Sequence, residues 1–107
     1  MGNRIYSFLG LATKAGKTVS GEERCISAIK KGKACLVIIA EDAANNTKVR
    51  FEEICRYKGV EVRIFGKKEL LGKFTGKDSR AVVVILDRNF AKELVAMIDS
   101  QKAELGV

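Results

Sequence analysis

The chain has 107 residues, of which 20 are Lys or Arg, 13 are Asp or Glu and none is His, for a formal net charge of +7 and a hydrophobic content of 47%. That length predicts one domain, 1–107, and the apolar fraction excludes general disorder. The absence of His removes Ser-His-Asp and Cys-His pairs and every imidazole metal ligand, which leaves acid–base chemistry to Asp, Glu, Lys or Tyr.

Ile5, Phe8, Leu9 and Ala12 recur at i, i+3, i+4 and i+7 and predict an amphipathic helix over 3–15, ended by Ala15-Gly16. Lys17-Thr18-Val19 reads as a short extended piece. Ser20-Gly21-Glu22-Glu23 is a capping-box pattern with Ser20 as N-cap; Cys25, Ala28 and Ile29 form the stripe of the second helix, which Gly32 stops. Ala34 to Ala40 is apolar throughout, the pattern of a strand buried on both faces. Glu41 to Asn46 is a loop, and Asn45, Asn46 and Thr47 are candidate N-caps of a third helix lined by Phe51, Ile54 and Cys55 and closed by Gly59. Val60, Val62 and Ile64 alternate with Glu61 and Arg63, as in a strand more exposed on one face. Leu70, Leu71 and Phe74 suggest a short helix, Thr75 to Arg80 a polar loop, and Ala81 to Leu86 another continuous apolar strand. Phe90, Ala91, Leu94, Met97 and Ile98 complete a C-terminal helix capped by Asp87, with a frayed tail expected after Ser100.

This alternation predicts an α/β fold, a three-layer αβα sandwich with a small four-stranded mixed sheet. Strand–helix–strand units are expected to be parallel, and the strand at 17–19 is the candidate for an antiparallel partner. The run Ala34–Ala40 is far too short to span a bilayer and no cleavage-like site follows the N-terminus, so a cytoplasmic location is expected. Cys25, Cys35 and Cys55 lack CxxC spacing and sit in apolar patterns, as buried thiols do.

The charge is uneven. Residues 1–33 carry seven basic and two acidic side chains, 34–66 five of each, and 67–80 five basic against Glu69 and Asp78. Two cationic stretches around a balanced middle point to a polyanion, nucleic acid first, although a soluble basic domain needs no such partner. Gly10 to Thr18 imitates a phosphate-binding loop, but five residues separate its glycines where four are needed, and a helix precedes it where a strand should.

Ser20-Gly21-Glu22-Glu23-Arg24, followed by Ala28-Ile29-Lys30-Lys31-Gly32-Lys33-Ala34-Cys35-Leu36-Val37-Ile38-Ile39-Ala40-Glu41-Asp42-Ala43, resembles the ribosomal protein L-seven-Ae family, which binds kink-turn RNA. The chain is most similar to the small bacterial YlxQ-type members. Leu-Ala-x-Lys-Ala-Gly-Lys at Leu11–Lys17 and Leu-Gly-Lys-x-x-Gly-Lys at Leu71–Lys77 extend the likeness, which covers Ile5 to Ile98.

The resemblance implies an αβα sandwich that grips an RNA helix–bulge–helix bent at tandem sheared G·A pairs. The second-helix start enters the groove, and the loop before the last strand covers the extruded nucleotide. The family glycine falls on Gly21. Archaeal and eukaryotic members follow it with Thr-Asn-Glu and a later Lys; here these positions are Glu22, Glu23, Arg24 and Ser27. Glu23 suits a guanine N1/N2 edge, and Arg24 a phosphate or the guanine Hoogsteen edge. Helix capping accounts for Glu22 and Glu23 equally well, and a solvated surface accounts for Arg24. Lys14, Lys17, Lys30, Lys31 and Lys33 bracket the helix start as phosphate contacts. Gly76, Lys77, Asp78, Ser79 and Arg80 match the RNA-covering loop. Phe74 and Phe90 sit in apolar stripes, so base stacking is not expected.

The implied partner is structured RNA, ribosomal RNA first, bound without catalysis, cofactor, metal or membrane in a ribosome-associated protein. The alternatives are a protein-interaction module of the same fold that has lost the kink-turn site, and a small nucleotide-binding domain. For the latter the titratable residues are Glu41-Asp42 alone.

Overall fold

A computed structural model describes residues 2–104. Nine elements follow one another: α1 (Gly2–Lys14), β1 (Thr18–Ser20), α2 (Glu22–Lys30), β2 (Leu36–Ile39), α3 (Asn45–Lys58), β3 (Glu61–Ile64), α4 (Lys68–Phe74), β4 (Val82–Ile85) and α5 (Arg88–Glu104). Their order is the predicted one. The tail expectation began at Ser100; α5 continues to Glu104, and residues 105–107 lie outside the described residues.

The sheet order is β1-β4-β2-β3. β2 and β3 are parallel, Leu36 opposite Glu61 and Ile39 opposite Ile64, as expected of strands joined through one helix. β4 departs from that expectation. It lies between β1 and β2 and is antiparallel to both, with Val83 opposite Ser20 and Val82 opposite Ile39. The reason is local: α4 has only seven residues, and the following loop folds back along it until the Arg80 N–H donates to the Lys68 carbonyl at 3.0 Å. The chain therefore re-enters the sheet at the end it has just left.

α2 and α3 pack together over one face, α2 against β1 and β4 and α3 against β3, while α1 packs with α4 and α5 on the other. The two central strands are buried throughout, which explains their unbroken apolar runs. Leu9, Ile29, Phe51, Leu71, Leu94 and Ile98 close over them from both layers. Burial pushes the Cys25 thiol up to about 12 and the Cys55 thiol to about 11. Both are inert core groups, and Cys35 is half-buried.

Two helix starts differ from the capping patterns in the sequence, and a third is capped from another segment. Ser20 is not the N-cap of α2: it ends β1, is buried, and leaves the cap to Gly21 at φ 90° with no side-chain hydrogen bond. α3 begins at Asn45 after Ala44, again without a side-chain cap. α4 is capped from a distance, the Lys68 N–H donating to Asp42 Oδ1 at 2.9 Å. That bond holds the Asp42 carboxyl below its ordinary range. Asp87 does cap α5, accepting the Phe90 N–H at 2.9 Å, and Gly59 ends α3 in the left-handed conformation at φ 72°.

Candidate nucleic-acid interface

The reversal of β4 brings the C-terminal ends of β1, β2 and β3 and the N-terminal end of β4 to one edge of the sheet. Two segments of interest meet there. α2 starts directly after β1, and the Thr75–Arg80 loop ends directly before β4. Arg80 joins them: its Nε donates to Ser20 Oγ at 3.2 Å while one terminal nitrogen donates to the Ser79 carbonyl at 2.8 Å. A depression of about 210 Å³ lies between the segments, lined by Thr18, Ser20, Arg24, Thr75 and Lys77 among others.

Each side of this depression has its own support. Gly21 turns the chain into α2 with a positive φ that L side chains rarely adopt. A Cβ there would meet nothing within 4 Å, so the space above it is open to a partner. The Cys25 N–H bonds the Gly21 carbonyl at 2.9 Å. The preceding N–H groups of α2 have no side-chain cap and lie at the end of a helix that favours anions. Across the depression, Thr75 is buried and donates to the Leu71 carbonyl at 2.7 Å, closing α4. Gly76 turns the loop at φ 73°, and the Lys77 N–H donates to the Gly72 carbonyl at 2.8 Å. Gly72 itself admits the loop, since a Cβ on it would collide with the Asp78 carbonyl group.

The other expected contacts divide by position. Glu23 and Arg24 are exposed on the first turn of α2 and form no ion pair among the described residues. Glu22 is turned away and engaged by α3: it accepts from Thr47 Oγ1 at 3.4 Å and lies 3.7 Å from Arg50. Ser27 is half-buried one turn beyond Arg24, and Asp78 and Ser79 are exposed on the loop. Lys14 shares a neighbouring hollow of about 470 Å³ with Lys73, Phe74 and Gly76, which adds Lys73 to the basic rim. Lys17 lies at the other end of β1, where its carbonyl accepts the Leu86 N–H at 2.8 Å. Lys30 and Lys31 finish α2 and lie at the opposite end of the sheet from Gly21.

Several members of the site were not singled out in the sequence. Ser20 has the signature of a cap and instead holds Arg80; Thr75 and Gly72 look like ordinary loop and helix residues until the fold-back of the loop is known. The carboxylates that suggested enzymatic chemistry are occupied. Asp42 caps α4, and Glu41 lies 3.1 Å from Lys67 Nζ. The Lys17-Thr18 step of the phosphate-loop imitation enters a strand, and Thr18 Oγ1 pairs with Thr13 Oγ1 at 3.0 Å. No helix among the described residues is long and apolar enough to cross a membrane.

Comparison with known proteins places this geometry in a family. Residues 3–96 match the model of the ribosomal protein L7Ae/L30e/S12e/Gadd45 family. The chain is 37% identical over 98 residues to the RNA-binding protein YlxQ of Bacillus subtilis (strain 168), covering 92% of this chain and 98% of that one. It is 33% identical over 104 residues to the large ribosomal subunit protein eL8 of Cenarchaeum symbiosum (strain A), covering 96% and 82%. Among solved structures, a protein of unknown function from Bacillus halodurans C superposes with a TM-score of 0.85 at 35% identity, over 89% of this chain and 96% of the other. The 15.5kD RNA binding protein of Giardia lamblia superposes at 0.74 with 24% identity, over 89% and 84%, a likeness of fold.

Proposed function

Because this chain belongs to the ribosomal protein L7Ae/L30e/S12e/Gadd45 family, we propose that it binds structured RNA, a kink-turn or a similarly bent helix–bulge–helix, without catalysis. Ribosomal RNA is the proposed source of that element. The reading rests on one observation, the Arg80–Ser20 bond that joins the start of α2 to the Thr75–Arg80 loop. In this reading Gly21 and the uncapped first turn of α2 approach the backbone at the bend, Glu23 accepts from a guanine edge, and Arg24 takes a phosphate or a guanine Hoogsteen edge. Gly76 to Arg80 cover the displaced nucleotide from the other side, and Lys14, Lys73 and Lys77 hold flanking phosphates. The names of the YlxQ relatives, which are called RNA-binding, support the class of partner.

The test is a titration of the full chain with a kink-turn RNA and with a straight duplex of equal length, across a salt series. The bent RNA is expected to bind more tightly, and the logarithm of its affinity to fall with log salt by about 0.7–0.9 per phosphate contacted. Absence of binding at low salt would return the fold to a protein-interaction role.

A further inference from the structure

The end of the molecule opposite Gly21 carries a second group of cations, together with an exposed aromatic ring. α2 closes with Lys30, Lys31 follows, and the chain enters β2 past Lys33; α3 closes with Arg56, Tyr57 and Lys58. The two helices pack on each other. They lead into parallel neighbouring strands that begin in register, Leu36 opposite Glu61, so their exits lie side by side. All five cations are exposed, and none forms an ion pair among the described residues. The nearby Glu61 carboxylate is held by Arg63 at 2.9 Å.

Tyr57 is 89% exposed, against 56% for Leu11 and 45% for Val49. The cause is helical spacing: α3 buries Thr47, Phe51 and Cys55, and Tyr57 lies two residues past Cys55, about 200° around the axis. Its ring contributes nothing to the core and enters none of the aromatic pairs formed by Tyr6, Phe65, Phe74, Phe8 and Phe90. An open ring at the same end of the molecule as these unpaired Lys and Arg side chains has the make-up of a platform for an unpaired base with phosphates held nearby.

We propose that Tyr57, with Lys30, Lys31, Lys33, Arg56 and Lys58, forms a second RNA contact that takes an unpaired segment by base stacking and backbone neutralisation. The nine residues of α2 span about 13 Å, so this contact is separate from the Gly21 edge. One copy of the protein then ties a bent helix at one end to a single-stranded segment at the other. The tying role rests on the function proposed above; the Tyr57 contact does not.

The experiment uses the full chain and a fluorescein-labelled ten-nucleotide oligoadenylate, followed by anisotropy alone and with saturating unlabelled kink-turn RNA. The oligoadenylate is expected to bind in both cases. Tyr57→Ala should weaken it by about 5- to 160-fold, the range found for loss of one base-stacking ring, and Tyr57→Phe should retain it. Replacing Lys30, Lys31 and Lys33 together with Ala should reduce the salt slope by about 2. Wild-type affinity in Tyr57→Ala, absence of oligoadenylate binding, or one-for-one displacement by the kink-turn RNA overturns the proposal. If the kink-turn RNA does not bind while Tyr57-dependent binding persists, this contact stands and the kink-turn reading falls.

Discussion

Arg80 donates from Nε to the hydroxyl of Ser20 across 3.2 Å, and that bond ties the loop before the last strand to the residue before α2. The two residues are sixty positions apart in the chain. They meet because β4 runs against β1 and β2, which sets its first residues beside the last residues of β1. Ser20→Ala should therefore loosen the loop and leave α2 intact. A hydrogen bond from a charged donor contributes about 1.5–3 kcal/mol at most, and this one is only partly buried, so the fold should survive. The expected signature is a reduced preference for bent over straight RNA, with amide exchange protection of α2 unchanged. Loss of protection confined to α2 would restore Ser20 to the capping role that its sequence pattern suggests.

Gly72 is the second determinant of the loop. A methyl group there would occupy the position of the Asp78 carbonyl and press on Ser79. Backbone is in the way, and it yields less easily than a side chain. Gly72→Ala should destabilise the domain by about 1–3 kcal/mol, the usual range for overpacking, and displace the Thr75–Arg80 loop. Denaturant titration measures the first effect. RNA binding measures the second: the bent RNA should lose more affinity than the straight duplex. Equal losses on both would remove this loop from recognition.

Glu22 and Arg24 sit two residues apart and should behave differently. Glu22 belongs to the α2–α3 seam through Thr47 and Arg50, and exposed pairs of this kind contribute about 0–1 kcal/mol. Glu22→Gln should change stability within that range and leave RNA affinity alone. Arg24→Ala should leave stability alone, weaken binding at low salt, and lower the salt slope by about 0.7–0.9. Unfolding of Arg24→Ala would contradict its exposed position.

Cys25 and Cys55 set an alkaline limit. Burial raises both thiols well above the ordinary range of a free cysteine, to about 12 and about 11. The unfolded chain releases these protons first, so stability is unaffected below pH 9 and falls as pH rises through the folded-state values. Thermal unfolding from pH 7 to 11 should show midpoints declining above about pH 9. The decline should be shallower in Cys25→Ala, judged against that variant's own midpoint at pH 7. An unchanged slope would place the alkaline sensitivity elsewhere.

Local pattern was enough to determine the elements of this protein. Apolar spacing marked each helix, uninterrupted runs marked the two central strands, and Gly59 and Asp87 marked helix ends, because these signals depend on neighbours within a turn or two. The resemblance added the family, and with it the two segments that matter. What only the tertiary structure decided is polarity and position. Nothing within α4 or β4 states that the chain re-enters the sheet at the end it left; that follows from a loop folding back over Gly72. The same reversal explains why Ser20 serves Arg80 instead of a helix terminus. Counting charge along the chain likewise finds residues 34–66 balanced, yet folding carries Arg56 and Lys58 to an exit of α3 that lies beside the α2 exit with Lys30, Lys31 and Lys33, and leaves Tyr57 exposed at that end of α3. Charge and ring geometry act through space, and sequence distance measures them only inside a single helix or strand.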